Sequence, residues 1–84
     1  MGDGMAAPKI YLFTDNNEEC IKAEKLLHKT GIPYKKIDVT RNGIRGWMLV
    51  EFGTMQTPMI TTPDAVIVGI KNIEKYFKSS LKIV

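Results

Sequence analysis

DNNEECIKAEKLLHKTGIPYKKIDV, residues 15–39, is the stretch whose reading decides the fold. Asp15 or Asn16 is expected to cap a helix, since each has a glutamate three residues later, Glu18 or Glu19, able to reach back in a capping box. Acids in the first turn also suit the positive end of the helix dipole. From about residue 17, Cys20, Ala23, Leu27 and Thr30 recur at helical spacing with Leu26 beside them, while Lys22, Lys25 and Lys29 point elsewhere. Gly31 supplies the left-handed residue that ends the helix, and Pro33 prevents its resumption. YKKIDV, residues 34–39, then alternates Tyr34, Lys36 and Asp38 against Lys35, Ile37 and Val39. That half-polar pattern suits the edge of a sheet rather than its middle.

Upstream, KIYLFT (9–14) is apolar, aromatic and β-branched without a breaker, as expected for a strand buried on both faces. Two strands joined by one helix make a right-handed βαβ unit. Downstream, TRNG is a turn, and GIRGWMLVEFG reads as a short helix with glycine at either end. TPMIT (57–61), TPD and AVIVG (65–69) read as a β-hairpin whose turn chemistry comes from Pro63 and Asp64. Asn72 is expected to cap a last helix that buries Ile73, Phe77 and Leu81 and turns Lys71, Lys75, Lys78 and Lys82 to solvent. The order is β-α-β-α-β-β-α, an α/β protein without repeats, low-complexity tracts or linkers.

With 84 residues the chain supports one domain and one modest core. Apolar residues at 44% and charged residues at 25% fit an ordinary globular protein. Residues 1–8 read as a flexible leader and 9–84 as the domain. A net charge of +3, from twelve Lys and Arg interspersed with nine acids, gives a mild field that does not by itself imply nucleic acid. No apolar run approaches the roughly 20 residues of a membrane helix, and MGDGMAAPK lacks a basic segment followed by an apolar one. A cytoplasmic protein is expected. One cysteine excludes an internal disulfide, an all-cysteine metal site and a two-thiol redox motif, so redox chemistry here must be monothiol. The single histidine, His28, has no ligand types at metal spacing, and no metal is assigned.

The element order, with a capped helix after the first strand and a Thr-Pro opening the third, resembles the glutaredoxins within the thioredoxin fold. CIKAEKLLHKTGIPYKKIDV is similar to their first helix and second strand, GTMQTPMI to the approach to their cis-proline, and VIVGIKNIEKY to the glycine turn into their last helix. The likeness runs from Lys9 to about Leu81. It implies a four-stranded mixed sheet flanked by helices on both faces.

The family carries its chemistry in a Cys-x-x-Cys, or a single leading Cys, at the start of the first helix, where the helix dipole and free N–H groups stabilise a thiolate. Counted back from Gly31, Cys20 falls on the second cysteine of that motif and Asn17 on the first. The loop after KIYLFT is also one residue shorter. The candidate active-site loop is thus Asn17, Glu18 and Glu19, with Cys20 as the candidate catalytic residue. The dipole favours its thiolate and the two glutamates oppose it. Two readings stay open: a glutaredoxin-like thiol-disulfide exchange protein, and a binding or adaptor domain in which Cys20 is a small apolar residue of the core face.

The resemblance further implies that Pro58 is cis and that Thr57 offers its backbone to an extended partner, a form of strand addition. Thr57 and Pro58 are the candidate substrate-binding pair. Glutathione is expected to bind poorly. Asp15 stands where relatives carry a basic residue, and Ile70, Lys71 and Asn72 follow Gly69 where an acid or hydroxyl would hold the glutathione amino group. A protein or peptide thiol is the expected partner, as in the glutaredoxin-like donors that take electrons from thioredoxin reductase.

Two surfaces stand apart. Trp47, Val50 and Met55, if exposed, make an apolar rim suited to protein binding or self-association, whereas a wider packing face on the second helix would bury Trp47. The lysines of the first and last helices share one side of the fold and suit an acidic partner. They lack the aromatic platforms expected of a nucleic-acid surface.

Overall fold

β1 (Tyr11–Thr14) is the inner strand about which the protein is built, with Leu12, Phe13 and Thr14 each at most 2% exposed. In this computed structural model the described residues are 9–82, with side chains as far as Lys78. The expected leader, Leu81 and Lys82 therefore lie outside the residues or side chains described. The elements that follow are α1 (Glu18–Thr30), β2 (Lys35–Asp38), α2 (Ile44–Phe52), β3 (Met59–Thr61), β4 (Val66–Val68) and α3 (Ile70–Lys82).

The sheet order is β2-β1-β3-β4. β1 runs parallel to β2, with Tyr11 opposite Lys35 and Phe13 opposite Ile37, and antiparallel to β3, with Phe13 opposite Met59. β3 and β4 close the hairpin with Ile60 opposite Ile67. β2 is an edge strand, as its two exposed lysines, Lys35 and Lys36, require. At the hairpin turn the side chain that bonds is Thr62. Its hydroxyl accepts from the N–H groups of Asp64 at 3.1 Å and Ala65 at 3.0 Å, and its own N–H donates to the Ala65 carbonyl at 2.8 Å.

Alternation along the strands sends side chains to two cores. On one face Leu12, Ile60 and Ile67 pack against Ala23 and Leu27 of α1 and Ile73 and Phe77 of α3, with Leu26 partly buried beside them. On the other face Phe13, Val39 and Met59 meet Met48 of α2. Helices thus cover both faces, α1 and α3 side by side and α2 opposite.

α1 ends as its sequence dictates, on Gly31 at φ 71°, whose N–H donates to the His28 carbonyl. Its start differs from expectation. The cap is Asn17, extended at φ −75° and ψ 176°, and its Oδ1 accepts the Cys20 N–H at 2.8 Å. Asn16 sits at φ 68°, a left-handed conformation foreign to a capping residue, and the Asp15 carboxylate bonds the Asn17 N–H instead. With the cap at 17, Glu18 and Glu19 occupy the first two helical positions and no capping box forms. α3 also begins before the expected cap. Gly69, at φ 90°, precedes it and accepts the Ile73 N–H at 3.0 Å. Asn72 is already inside the helix, where its side-chain amide donates back to the Val68 carbonyl at 2.8 Å.

Candidate functional site

The C-terminal end of β1, the start of α1 and the entry to β3 meet at one end of the sheet, and the Asp15 carboxylate ties them together. Its Oδ1 accepts the Asn17 N–H at 3.1 Å and the Cys20 thiol at 3.4 Å. Its Oδ2 lies 3.3 Å from the Arg45 guanidinium, on the first turn of α2. Thr57, at the entry to β3, lies near enough to help hold the same carboxylate charged. The Asn17 N–H, foremost, holds Asp15 below the usual carboxylate range against the cost of partial burial, with Cys20, Thr57 and Arg45 adding to it.

Cys20 is 1% exposed. Helical spacing puts it on the same face as Ala23 and Leu27, which are fully buried, and its sulfur turns inward to Asp15. Asn17, Glu18 and Glu19 are all exposed. The N–H that a thiolate at residue 17 would use is the one the Asn17 side chain already accepts from Cys20.

Thr57 is half-buried beside a fully buried Pro58, and the peptide bond between them is cis. The Pro58 carbonyl accepts the Gly69 N–H at 2.8 Å, which brings the turn into α3 to the same end of the sheet. The β1–β3 ladder stops at Met59. Among the described residues the backbone of Thr57 makes no hydrogen bond outside a ladder, so its N–H and carbonyl form a short open edge two residues beyond the strand. Asn17 and Cys20 share the first turn of α1 through their own hydrogen bond and the Asp15 carboxylate, and Thr57 and Pro58 stand at the entry to β3. Arg45 was not anticipated: it lies 30 residues from Asp15, and no local pattern marks a helical arginine as the partner of a distant carboxylate.

Trp47, Val50 and Met55 are 48%, 84% and 46% exposed. The Trp47 ring stacks over Phe13 at 6.0 Å and meets Phe52 edge-on at 5.5 Å, so one side of it packs while the other faces solvent. Among the described residues no group of His, Cys, Asp and Glu could hold a metal ion, and no helix is long and apolar enough to cross a membrane.

No family model matches the sequence, and no curated protein matches it either. Solved structures do. A buckwheat glutaredoxin in complex with glutathione superposes with a TM-score of 0.73 at 17% identity, over 86% of this chain and 70% of that one. The chain has the glutaredoxin-like thioredoxin fold. Consistent with that fold, a mutant of the thioredoxin-like protein BC3987 gives a TM-score of 0.72 at 22% identity, covering 83% of this chain and 96% of the other. A glutaredoxin from Archaeoglobus fulgidus gives 0.64 at 15%, over 79% and 77%.

Proposed function

We propose that this chain is a thioredoxin-fold binding domain that takes an extended polypeptide along the Thr57 edge, with Cys20 serving as core rather than as nucleophile. The observation that carries this reading is the 1% exposure of Cys20, its sulfur turned 3.4 Å from the Asp15 carboxylate. A nucleophilic sulfur must be reachable by the sulfur it attacks. The backbone edge at Thr57 needs neither thiol. It would add main-chain hydrogen bonds from the Thr57 N–H and carbonyl to a protein or peptide partner. Glutathione suits it poorly, because its carboxylates would meet Asp15 and its ammonium Lys71.

The second reading, thiol-disulfide exchange through Cys20, rests on that residue's place in the first turn of α1 at the positive end of the helix dipole. Two measurements separate them. A small alkylating reagent is expected to label Cys20 in the folded protein no faster than the protein opens, at any pH. Rapid labelling with a low-pH midpoint would overturn the binding reading. In an NMR titration with an extended cysteine-containing peptide, the Thr57 amide is expected to shift equally in wild type and Cys20→Ala. A response confined to the wild type would assign the site to thiol chemistry.

A further inference from the structure

On the helical face that carries α1 and α3, away from the Thr57 edge, the two helices leave a cleft of about 230 Å³ lined by Lys22, Lys25, Leu26, Lys29 and Glu74. The sequence dictates this lining. Lys22, Lys25 and Lys29 recur at helical spacing along one flank of α1, while Leu26 lies between them and packs partly into the core. On the α3 wall, Lys71 and Lys78 sit three residues before and four after Glu74, hence on the same flank, and both are exposed. Three lysines thus line the cleft against one acid, Glu74, with Lys71 and Lys78 along the α3 flank and Glu18 one turn ahead of Lys22. Among the described residues none of the five is paired with a carboxylate. The remaining acid of mid-α1, Glu24, faces the other way, 3.3 Å from Lys36 and 3.0 Å from the Tyr34 hydroxyl on the β2 side.

We propose that this cleft docks an acidic amphipathic helix of a partner protein, one apolar side chain resting on Leu26 and carboxylates pairing with Lys22, Lys25 and Lys29. The charge is complementary along a line of about 10 Å, seven residues of α1, which two turns of a partner helix match with acids at i, i+3 and i+7. The floor distinguishes this occupant from nucleic acid. A phosphate backbone gains nothing from Leu26, and among the described residues no aromatic ring lines the cleft on which a base could stack.

The test uses a fluorescein-labelled helical peptide in which glutamates flank a single leucine, followed by fluorescence anisotropy with the full chain. Saturable binding is expected that weakens at least about tenfold in Lys25→Glu/Lys29→Glu, weakens with added salt, and weakens when the peptide's leucine is replaced by serine. Both lysines are exposed, so the variant is expected to keep the wild-type melting curve. If it does not, the neutral pair Lys25→Gln/Lys29→Gln replaces it, with the same loss in direction. Binding unchanged by either pair, equal binding of the serine peptide, or no binding at millimolar protein overturns the proposal. Tighter binding of a single-stranded oligonucleotide of equal charge would assign the face to nucleic acid instead.

Discussion

Replacing Asn17 by alanine removes one interaction and little else, which makes its cost calculable. The side chain is exposed, so no apolar burial is lost. The bond lost is the one from the Cys20 N–H to Oδ1, at 2.8 Å. An N-cap of this kind contributes about 1 kcal/mol, within a range of roughly 0.5–2. A domain this small is stable by only about 4–12 kcal/mol, so the cap is a sizeable share. A loss of about 1 kcal/mol should lower Tm by about 4–8 °C. The assay is thermal and urea unfolding followed by the fluorescence of Trp47, which packs on Phe13 and Phe52 and should report loss of the α2-side core. The urea midpoint should fall with the slope unchanged, since the folded surface is the same. Asn17→Ser, which keeps an acceptor, should recover most of the loss. A midpoint for Asn17→Ala indistinguishable from wild type would refute Asn17 as the cap, and with it the statement that the Cys20 N–H, in the first turn of α1, is spent on a side chain.

Other consequences concern pH and packing. Asp15 is held below its ordinary pKa, so its contribution is present above about pH 4 and is lost as pH falls through the folded value; in Asp15→Asn the acid limb of an unfolding-versus-pH curve should be shallower. Tyr34 runs the other way. Burial foremost, and then the bond to Glu24, raise its pKa, so its contribution is intact below about pH 10 and lost above it, and Tyr34→Phe should flatten the alkaline limb. Cys20→Ala should fold and cost about 1–2 kcal/mol in urea, since it empties a buried site and strips one partner from Asp15. A Cys20→Ala protein as stable as wild type would show that the sulfur is not packed as described.

The architecture was legible because its signals are periodic and local. The Cys20, Ala23, Leu27 stripe, the Gly31 stop and the alternation of YKKIDV each name one element, and their order leaves a single short route through the sheet. Helix starts were less legible. Asp15, Asn16 and Asn17 are three consecutive residues with capping side chains, and which one caps depends on which is left-handed; Thr14 helps to decide it, its hydroxyl accepting the Asn16 N–H at 2.9 Å. Asn72 misled for a related reason: glycine caps with backbone alone, so Gly69 gave no side-chain signal. Within the site, the resemblance put Cys20 at the start of the first helix, and it stands in the first turn of α1 with its thiol on Asp15. The Asp15–Arg45 pair joins elements far apart in sequence, and nothing local to either residue announces it.

The outer strand β2 has a consequence for how the protein behaves in crowded solution. Among the described residues one side of its main chain has no neighbouring strand, and such a margin invites another molecule to stack onto it. Lys35 and Lys36 are both exposed there, Lys36 paired with Glu24 and Lys35 unpaired among the described residues, so a second copy approaching in register would bring the Lys35 charges together. The same lysines that make this strand look poor as a sheet-former thereby act as a guard against fibre growth from this side of the molecule.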